Sequence, residues 1–493
     1  MTHVHLQYIN DVNLRVAAEP GIVMELAEHF TFKAENYKFH PKYKARMWNG
    51  DITLVNRLSG LCYAGLALRI KKFCDERDYT LTWDNEFDYD NVSRNEVEQF
   101  IKTLDLPDWL EIRDYQIEAI TKCLRSRRRT LVSPTSSGKS FIIYVLTRWY
   151  KKKGLIIVPS TGLVRQMQSD FESYGFKGKI DTSVGGLLKD NDIPADIVIT
   201  TWQALDNGKK KMPKEWFNQF PVVIGDEAHG AKATTLIKIF SSMENTPYRF
   251  GTTGTLPTNM LSQHTIEGLF GAQYQTTTTR ELIDSGYAAD IHIKCIVLRY
   301  PEDVRKQFHK PVIDKKTQNP RKKTYQEEVD FLVNYEKRTQ FIKNLVLSLK
   351  GNKLVFFRLK EHGEILLKAF GDQESIFYID GGVTDREEIR KAMEEEENAT
   401  LLASMGTTST GVSIKKLHHM VAASPTKSKI KVVQAMGRML RQHSEKTHAV
   451  LYDIVDDLSY GKQKNHTLKH FEERATIYDS ENHAYKIYTV AIK

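Results

Sequence analysis

Continuous apolar runs recur along the chain from about residue 155, separated by stretches of helical periodicity. LIIVPS occupies 155–160, DIVITT 196–201 and PVVIGDEAH 221–229. Uninterrupted rather than alternating apolar residues predict strands buried on both faces, as in a parallel sheet covered by helices. This set begins near Ile112 and extends to about Ser285. A second set follows, with IHIKCIVL at 291–298, KLVFFRL at 353–359, SIFYI at 375–379, ATLLAS at 399–404 and HHMVAAS at 418–424. Two α/β domains in tandem are expected. Ahead of them lies a smaller unit with strand signals of its own, RMWNGDITLVNR among them. Beyond Asp457 the pattern is polar and mostly helical, TLKHFEERATIY being its clearest piece. The expected domains are 1–90, 91–285, 286–457 and 458–493.

Composition narrows the class. A chain of 493 residues is too long for one hydrophobic core, and 41% hydrophobic with 27% charged residues is ordinary for a globular protein. The cysteines Cys62, Cys74, Cys123 and Cys295 lack CxxC spacing, which argues against a disulfide framework or a zinc module and for a reducing cytoplasm. No stretch approaches the ~18 apolar residues that span a bilayer, and MTHVHLQYIN does not read as a signal peptide. A soluble cytoplasmic protein is expected. The net charge of +9 suggests a polyanionic partner only if it is clustered, and it is. Residues 29–72 hold nine Lys or Arg against Glu35 and Asp51, with Phe30, Phe32, Tyr37, Phe39, Tyr43 and Trp48 interleaved. From Asp75 to Glu111 the sign reverses. A second basic run, Arg305 to Lys323, has no usable periodicity and reads as a long exposed loop.

The strongest chemical signal is LVSPTSSGKS at 131–140, a short strand, a loop of small residues and then the helical run FIIYVLTRWY. In such a loop the backbone N–H groups of Pro134's successors Thr135, Ser136, Ser137 and Gly138 converge on phosphate oxygens, and the helix presents its positive end to them. Lys139 would reach the β- and γ-phosphates of ATP and Ser140 would ligate Mg²⁺. The common pattern begins with glycine, where this chain has Ser133. VVIGDEAH puts Asp226 and Glu227 at the carboxyl end of a buried strand, where ligands bind in such sheets. Asp226 is placed to hold Mg²⁺ through water, and Glu227 to polarise the water that attacks the γ-phosphate.

In order and content these motifs resemble helicase superfamily 2, in particular its DEAH-box-like members. The resemblance implies an α/β fold of two tandem RecA-like parallel-sheet lobes, with a small N-terminal α/β domain and a short helical C-terminal segment. RDYQ at 113–116 is similar to the adenine-reading motif, which implies nucleotide contacts for Arg113 and Gln116. The DEAH string implies catalytic roles for Asp226, Glu227 and His229. VPSTGLVRQ at 158–166 and TTWQAL at 200–205 resemble the DNA-contacting loops of the first lobe, and point to Arg165, Gln166, Thr201 and Trp202. GTTGT at 251–255 resembles the motif that couples hydrolysis to strand movement. In the second lobe KLVFFRLKEH and LLASMGTTSTGVSI take the next two positions, the latter departing from the common form at Ser413 and leaving Gly411 a loose role in DNA contact. QAMGRMLRQ at 434–442 fits the arginine motif, with Gln434 at the nucleotide and Arg438 and Arg441 neutralising charge on the γ-phosphate.

At whole-chain level the unit with RMWNGD, followed by DEAH and QAMGRMLRQ, is similar to recombination and repair helicases of T-even bacteriophages. That implies ATP-driven remodelling of branched DNA, including branch migration, fork regression and removal of RNA–DNA hybrids, in a host cell's cytoplasm. Single-stranded DNA is the implied track, and one chain suffices for hydrolysis. The basic N-terminal block, with Lys38, Lys42, Lys44, Arg46 and Trp48 foremost, is the candidate for branch recognition by shape. A double-strand translocase that does not separate strands, an RNA helicase and a non-catalytic binder remain as alternatives.

Overall fold

The computed structural model describes residues 2–182, 194–206, 208–209, 211–232, 234–314, 317–371, 375–383, 386–405, 417–424, 448–480 and 483–492. They form two compact units, Met1–Thr278 and Thr279–Lys493.

The first unit contains a seven-stranded parallel sheet. In spatial order its strands are Gln273–Gln275, Arg128–Val132, Tyr248–Thr253, Val222–Asp226, Gly154–Val158, Ile197–Thr201 and Ile180–Asp181. The continuous apolar runs have a simple cause. Ile156, Val158, Ile197, Ile199 and Ile224 enter one core with the helices Asp114–Ser126 and Lys139–Trp149. Their neighbours Leu155, Ile157, Val198 and Val223 enter a second core with Trp216, Phe217, Phe240 and Phe270 on the other face. Successive side chains point to opposite faces, so a strand covered on both sides needs no polar position.

In front of this sheet the N-terminal residues build a four-stranded sheet. Its order is Leu61–Tyr63, Asn13–Ala17, His3–Tyr8 and Thr80–Trp83, the last pairing in parallel with His3–Tyr8. Helices Pro20–His29 and Ala67–Asp75 pack on it around Leu6, Leu14, Leu26, Phe30, Ile70 and Phe73. A separate two-stranded ribbon, Thr31–Lys33 with Asp51–Thr53, carries the intervening basic segment 34–50.

The second unit is built on another seven-stranded parallel sheet. Its order is Ile376–Ile379, Thr400–Ser404, Lys353–Phe357, His419–Ala422, His448–Asp457, Asp290–Arg299 and Tyr485–Ala491. Each apolar run read from the sequence supplies one of these strands. Beyond the expected helix, His466–Ser480, the C-terminal segment adds the edge strand Tyr485–Ala491, whose mostly exposed residues gave no apolar run. Across the core, Arg338 and Asp456 form a fully buried ion pair, with Nε to Oδ1 at 2.8 Å and Tyr300 Oη donating to the same oxygen at 2.8 Å.

The run from Arg305 to Lys323 is not one long loop. It contains the end of the helix Glu302–Phe308 and a short antiparallel pair, Val312–Ile313 with Pro320–Arg321. Arg305 donates to the carbonyls of Tyr300 and Ser459, and Arg321 pairs with Glu327. Lys323 donates to the Phe308 carbonyl while lying over that ring. These cations close a local structure, which periodicity in a nineteen-residue window with two prolines could not reveal. All four cysteines are free and buried. No helix among the described residues is long and apolar enough to cross a membrane.

Candidate active site and nucleic-acid interface

The phosphate loop follows the strand Arg128–Val132 and opens the helix Lys139–Trp149. Two left-handed residues, Ser136 (φ 69°) and Gly138 (φ 75°), turn its backbone. Gly138 has a second constraint, since a Cβ there would stand 2.3 Å from Gln116 Nε2. Ser133 is not among the left-handed residues, so a side chain costs no backbone strain where glycine is common. Its buried hydroxyl lies 2.6 Å from Ser137 Oγ and accepts from Thr276 Oγ1 at 2.8 Å. The serine thus clasps the loop to itself and to the end of the sheet. Pro134 is buried; its carbonyl accepts from Ser137 Oγ at 2.6 Å, and Thr135 is partly open.

The RDYQ tract holds the loop from behind. Gln116 is 3% exposed. Its Oε1 accepts the Arg113 N–H at 3.0 Å, and its Nε2 donates to the Ser137 carbonyl at 2.9 Å. Tyr115 Oη donates to that same carbonyl, and Arg113 Nη1 to the carbonyl of Ser136, each at 2.9 Å. Gln116 therefore engages the protein with both ends of its amide, which fixes the amide's orientation and leaves its second N–H and second lone pair for an adenine edge. Lys139 Nζ reaches back to the Ser133 carbonyl at 3.0 Å, across the loop. Ser140 Oγ lies 2.9 Å from the hydroxyl of Tyr174, a contact that no motif signalled.

The acidic pair stands at the same carboxyl edge. Asp226 ends its strand opposite Thr252, whose Oγ1 donates to Asp226 Oδ1 at 2.6 Å. Burial and the neighbouring Glu227 push the Asp226 carboxyl above the usual carboxylate range, while Lys139 and the Thr252 hydroxyl oppose that rise. Glu227 has φ 52°, a strained turn for a residue with a Cβ. His229 Nδ1 sits 3.2 Å from Glu227 Oε2 and 3.0 Å from Thr253 Oγ1. The GTTGT strand thus touches both halves of the DEAH string, Thr252 at Asp226 and Thr253 at His229. The Asp226 carboxylate, beside that of Glu227 and within electrostatic reach of Lys139, is a hard oxygen donor suited to a divalent cation such as Mg²⁺.

Of the expected nucleic-acid contacts in this unit, Arg165 is exposed on the helix Thr161–Ser173 and Gln166 is half-buried. Trp202 packs partly against the second core of the sheet, and Thr201 is buried at the start of a short helix. In the N-terminal segment, Lys38, Lys42, Lys44 and Arg46 are all exposed. Trp48 is not a free platform: its Nε1 donates to the Asp51 carbonyl at 2.8 Å, and its ring meets His40 edge-on. Tyr37 and Tyr43 stack edge to face, and a Cβ at Gly50 would strike the Tyr37 ring at 2.4 Å. These rings form the small core of a finger that leaves Phe39 (75% exposed) and Met47 (77% exposed) at its surface among the cations. Phe39 is one of the interleaved aromatics of the basic block, whereas Met47 carries no aromatic or charge signal in the sequence. Gln434, Arg438, Arg441 and Gly411 lie outside the described residues.

Residues 3–84 match the family described as DNA helicase UvsW, N-terminal; 109–258 match the type III restriction enzyme res subunit, and 336–443 the helicase conserved C-terminal domain. The chain is 33% identical to the ATP-dependent DNA helicase uvsW of Enterobacteria phage T4, over 97% of each sequence. It belongs to the UvsW family of DNA helicases. The crystal structure of T4 UvsW covers 100% of both chains at 31% identity with a TM-score of 0.50. A further relative of this UvsW-family chain is the DNA 3'-5' translocase XPB2 of Sulfurisphaera tokodaii, 23% identical over 80% of this chain and 90% of the other. The expected fold, two RecA-like lobes following a small α/β domain in the chain, and the expected activity, that of an ATP-dependent DNA helicase or translocase, both hold.

Proposed function

We propose that this helicase remodels branched DNA, including four-way junctions, stalled forks and RNA–DNA hybrids, acting as a single chain in the cytoplasm of a host cell. The observation that carries this reading is the finger at 34–50, where four exposed cations surround two exposed apolar side chains. Cations alone bind any duplex through phosphate, whereas apolar side chains among them can stack on bases that a branch point leaves unpaired. The domains are taken as recognition unit 1–90, lobes 91–285 and 286–457, and segment 458–493.

In the motor, the backbone N–H groups from Thr135 to Gly138, with Lys139, bind the triphosphate. Glu227 orients the attacking water, and His229 carries the state of Glu227 to Thr253. Asp226 and Ser140 would hold Mg²⁺, which supplies charge neutralisation at the phosphates. Gln116 and Arg113 order the loop, and Gln434 is assigned to the nucleotide by its motif. Arg438 and Arg441 complete the charge compensation. Arg165, Gln166, Thr201, Trp202 and Gly411 grip the strand backbone. A translocase that pumps duplex without opening it is the second reading, favoured by the translocase relative.

The test is ATP turnover, binding and unwinding on matched single-stranded, forked, four-way and R-loop substrates across a salt series. Glu227→Gln should lower turnover at least ~100-fold with DNA affinity retained. Lys42→Glu with Lys44→Glu should weaken four-way binding and flatten its salt slope by about 2, while sparing single-strand-stimulated turnover. Equal loss on every substrate defeats branch recognition. Triplex displacement without strand displacement selects the second reading.

A further inference from the structure

One helix of the first unit, Met260–Phe270, belongs to no motif, yet it lies between the reacting groups and the N-terminal domain. It starts seven residues after Thr253, with Asn259 capping its first turn by accepting the Ser262 N–H at 2.7 Å. At its other end the Phe270 ring covers two strand glycines. A Cβ on Gly225 would stand 2.8 Å from Phe270 Cζ, and one on Gly251 would stand 2.9 Å from Phe270 Cγ. Those glycines immediately precede Asp226 and Thr252, so the helix rests on the strands where the metal-binding carboxylate and its threonine are held.

The opposite side of the helix is occupied by the N-terminal domain. A Cβ on Gly65 would lie 2.1 Å from the Glu267 carbonyl and 2.7 Å from that of Gly268, so the two backbones touch with no side chain between them. Glu267, 1% exposed, takes a two-pronged contact from Arg69: Nε to Oε2 at 2.7 Å and Nη2 to Oε1 at 2.8 Å. His264 is wedged against the rings of Phe30 and Phe32, at 5.6 and 5.0 Å between centroids. Phe32 belongs to the ribbon strand that leads straight into the finger. A path therefore runs from the finger through Phe32 to His264, along the rigid helix to Phe270, and on to Gly225 and Asp226, with the Arg69–Glu267 pair fixing the helix to the recognition domain.

We propose that this helix couples finger occupancy to ATP turnover, and that Arg69 and Glu267 are positioning residues for that coupling. Close-packed interiors transmit a displacement, where flexible tethers absorb it. This rests on the finger being the branch-recognition element. The consequence is a specificity in turnover: a four-way junction stimulates hydrolysis beyond single-stranded DNA, and it does so through this helix.

The experiment compares the wild-type chain, Arg69→Met, the charge-neutral pair Arg69→Met with Glu267→Gln, and the finger variant Lys42→Glu with Lys44→Glu. Junction and single-strand affinities are read by fluorescence anisotropy, and turnover on saturating DNA is measured in parallel. Thermal melting reports folding, and the double variant covers the case in which the single one leaves Glu267 buried, charged and unfolded. We expect the double variant to keep both affinities and single-strand-stimulated turnover within about twofold, while the junction-over-single-strand ratio, about tenfold in the wild type, falls to about one. The proposal is overturned if that ratio survives in a folded double variant, or if both stimulations fall together. A finger variant with undiminished junction affinity removes the reading beneath the proposal as well, and the two failures are told apart by which chain shows them.

Discussion

The packing of Phe270 on Gly225 permits a quantitative test of how tightly the catalytic edge is built. In Gly225→Ala the new methyl would meet Phe270 Cζ at 2.8 Å, Phe240 Cζ at 3.0 Å and Phe270 Cε1 at 3.2 Å. Ordinary contact begins near 3.4 Å. Something must therefore yield by about half an ångström, in a core where both rings are at most 1% exposed and meet edge to face at 4.6 Å. Overpacking of this kind costs about 2 kcal/mol, which for a unit of this size lowers the melting temperature by about 4–8 °C. If the backbone gives way instead of the rings, Asp226 moves with it. A displacement of about half an ångström at a reacting group should lower kcat by about tenfold. Turnover is measured well below the transition, beside calorimetric melting of the same sample. Phe270→Leu by itself opens a cavity and is destabilising, but added to Gly225→Ala it removes the colliding atoms, so the two losses should be strongly non-additive. Unchanged melting and turnover in Gly225→Ala, or simple additivity in the double variant, would refute this account of the edge.

Three further expectations concern stability. Arg338→Met leaves Asp456 buried without its cation and should cost about 3–5 kcal/mol in denaturant titrations of the second unit; replacing both partners by apolar residues should recover most of it. His362 is fully buried beside Ser424 Oγ at 2.7 Å, and burial with the nearby Arg338 pushes its imidazole down to about 3. The unfolded chain takes up this proton near pH 6.5 and the folded one only near 3, so stability should fall as pH drops between those values, by at most about 1.4 kcal/mol per pH unit. His362→Gln should flatten that slope, and an unaltered slope counts against the assignment. Ser133→Gly restores the common loop pattern but takes one hydrogen-bond partner from each of the Ser137 and Thr276 hydroxyls, which keep the Pro134 and Val132 carbonyls; it should lower stability by about 1 kcal/mol with little change in nucleotide affinity, as read by calorimetry and fluorescent-nucleotide binding.

Most strands of the two sheets were legible because they are covered on both faces and read as unbroken apolar runs; the inner strands Tyr248–Thr253 and His448–Asp457 were not, because buried polar residues such as Arg249, Asp453 and Asp456 interrupt them. Tyr485–Ala491 was not, since it lies at an edge with most side chains in solvent. The phosphate loop and DEAH turn were legible because their chemistry demands small residues and carboxylates at fixed spacing. What surrounds them was not. Gln116 has the residue type expected of a base reader, but only the fold shows its amide already engaged by Arg113 and Ser137. Tyr174 reaches Ser140 from thirty-four positions away, and Arg69 reaches Glu267 across 198. Contacts of that separation carry no local periodicity. The basic run at 305–323 misled because a cation that bonds a carbonyl looks, in sequence, like one that awaits a phosphate.

The four buried thiols have a practical use. Burial pushes Cys74 up to about 11, and Cys123 and Cys295 each up to about 12, so the folded protein offers almost no thiolate to an alkylating reagent. Labelling then reports opening rather than reactivity. Cys74 belongs to the recognition domain, Cys123 to the sheet that holds the phosphate loop and Cys295 to the second unit. The wild-type chain therefore carries a separate clock for the loosening of each part, readable by mass without any engineered probe while nucleotide or DNA is added.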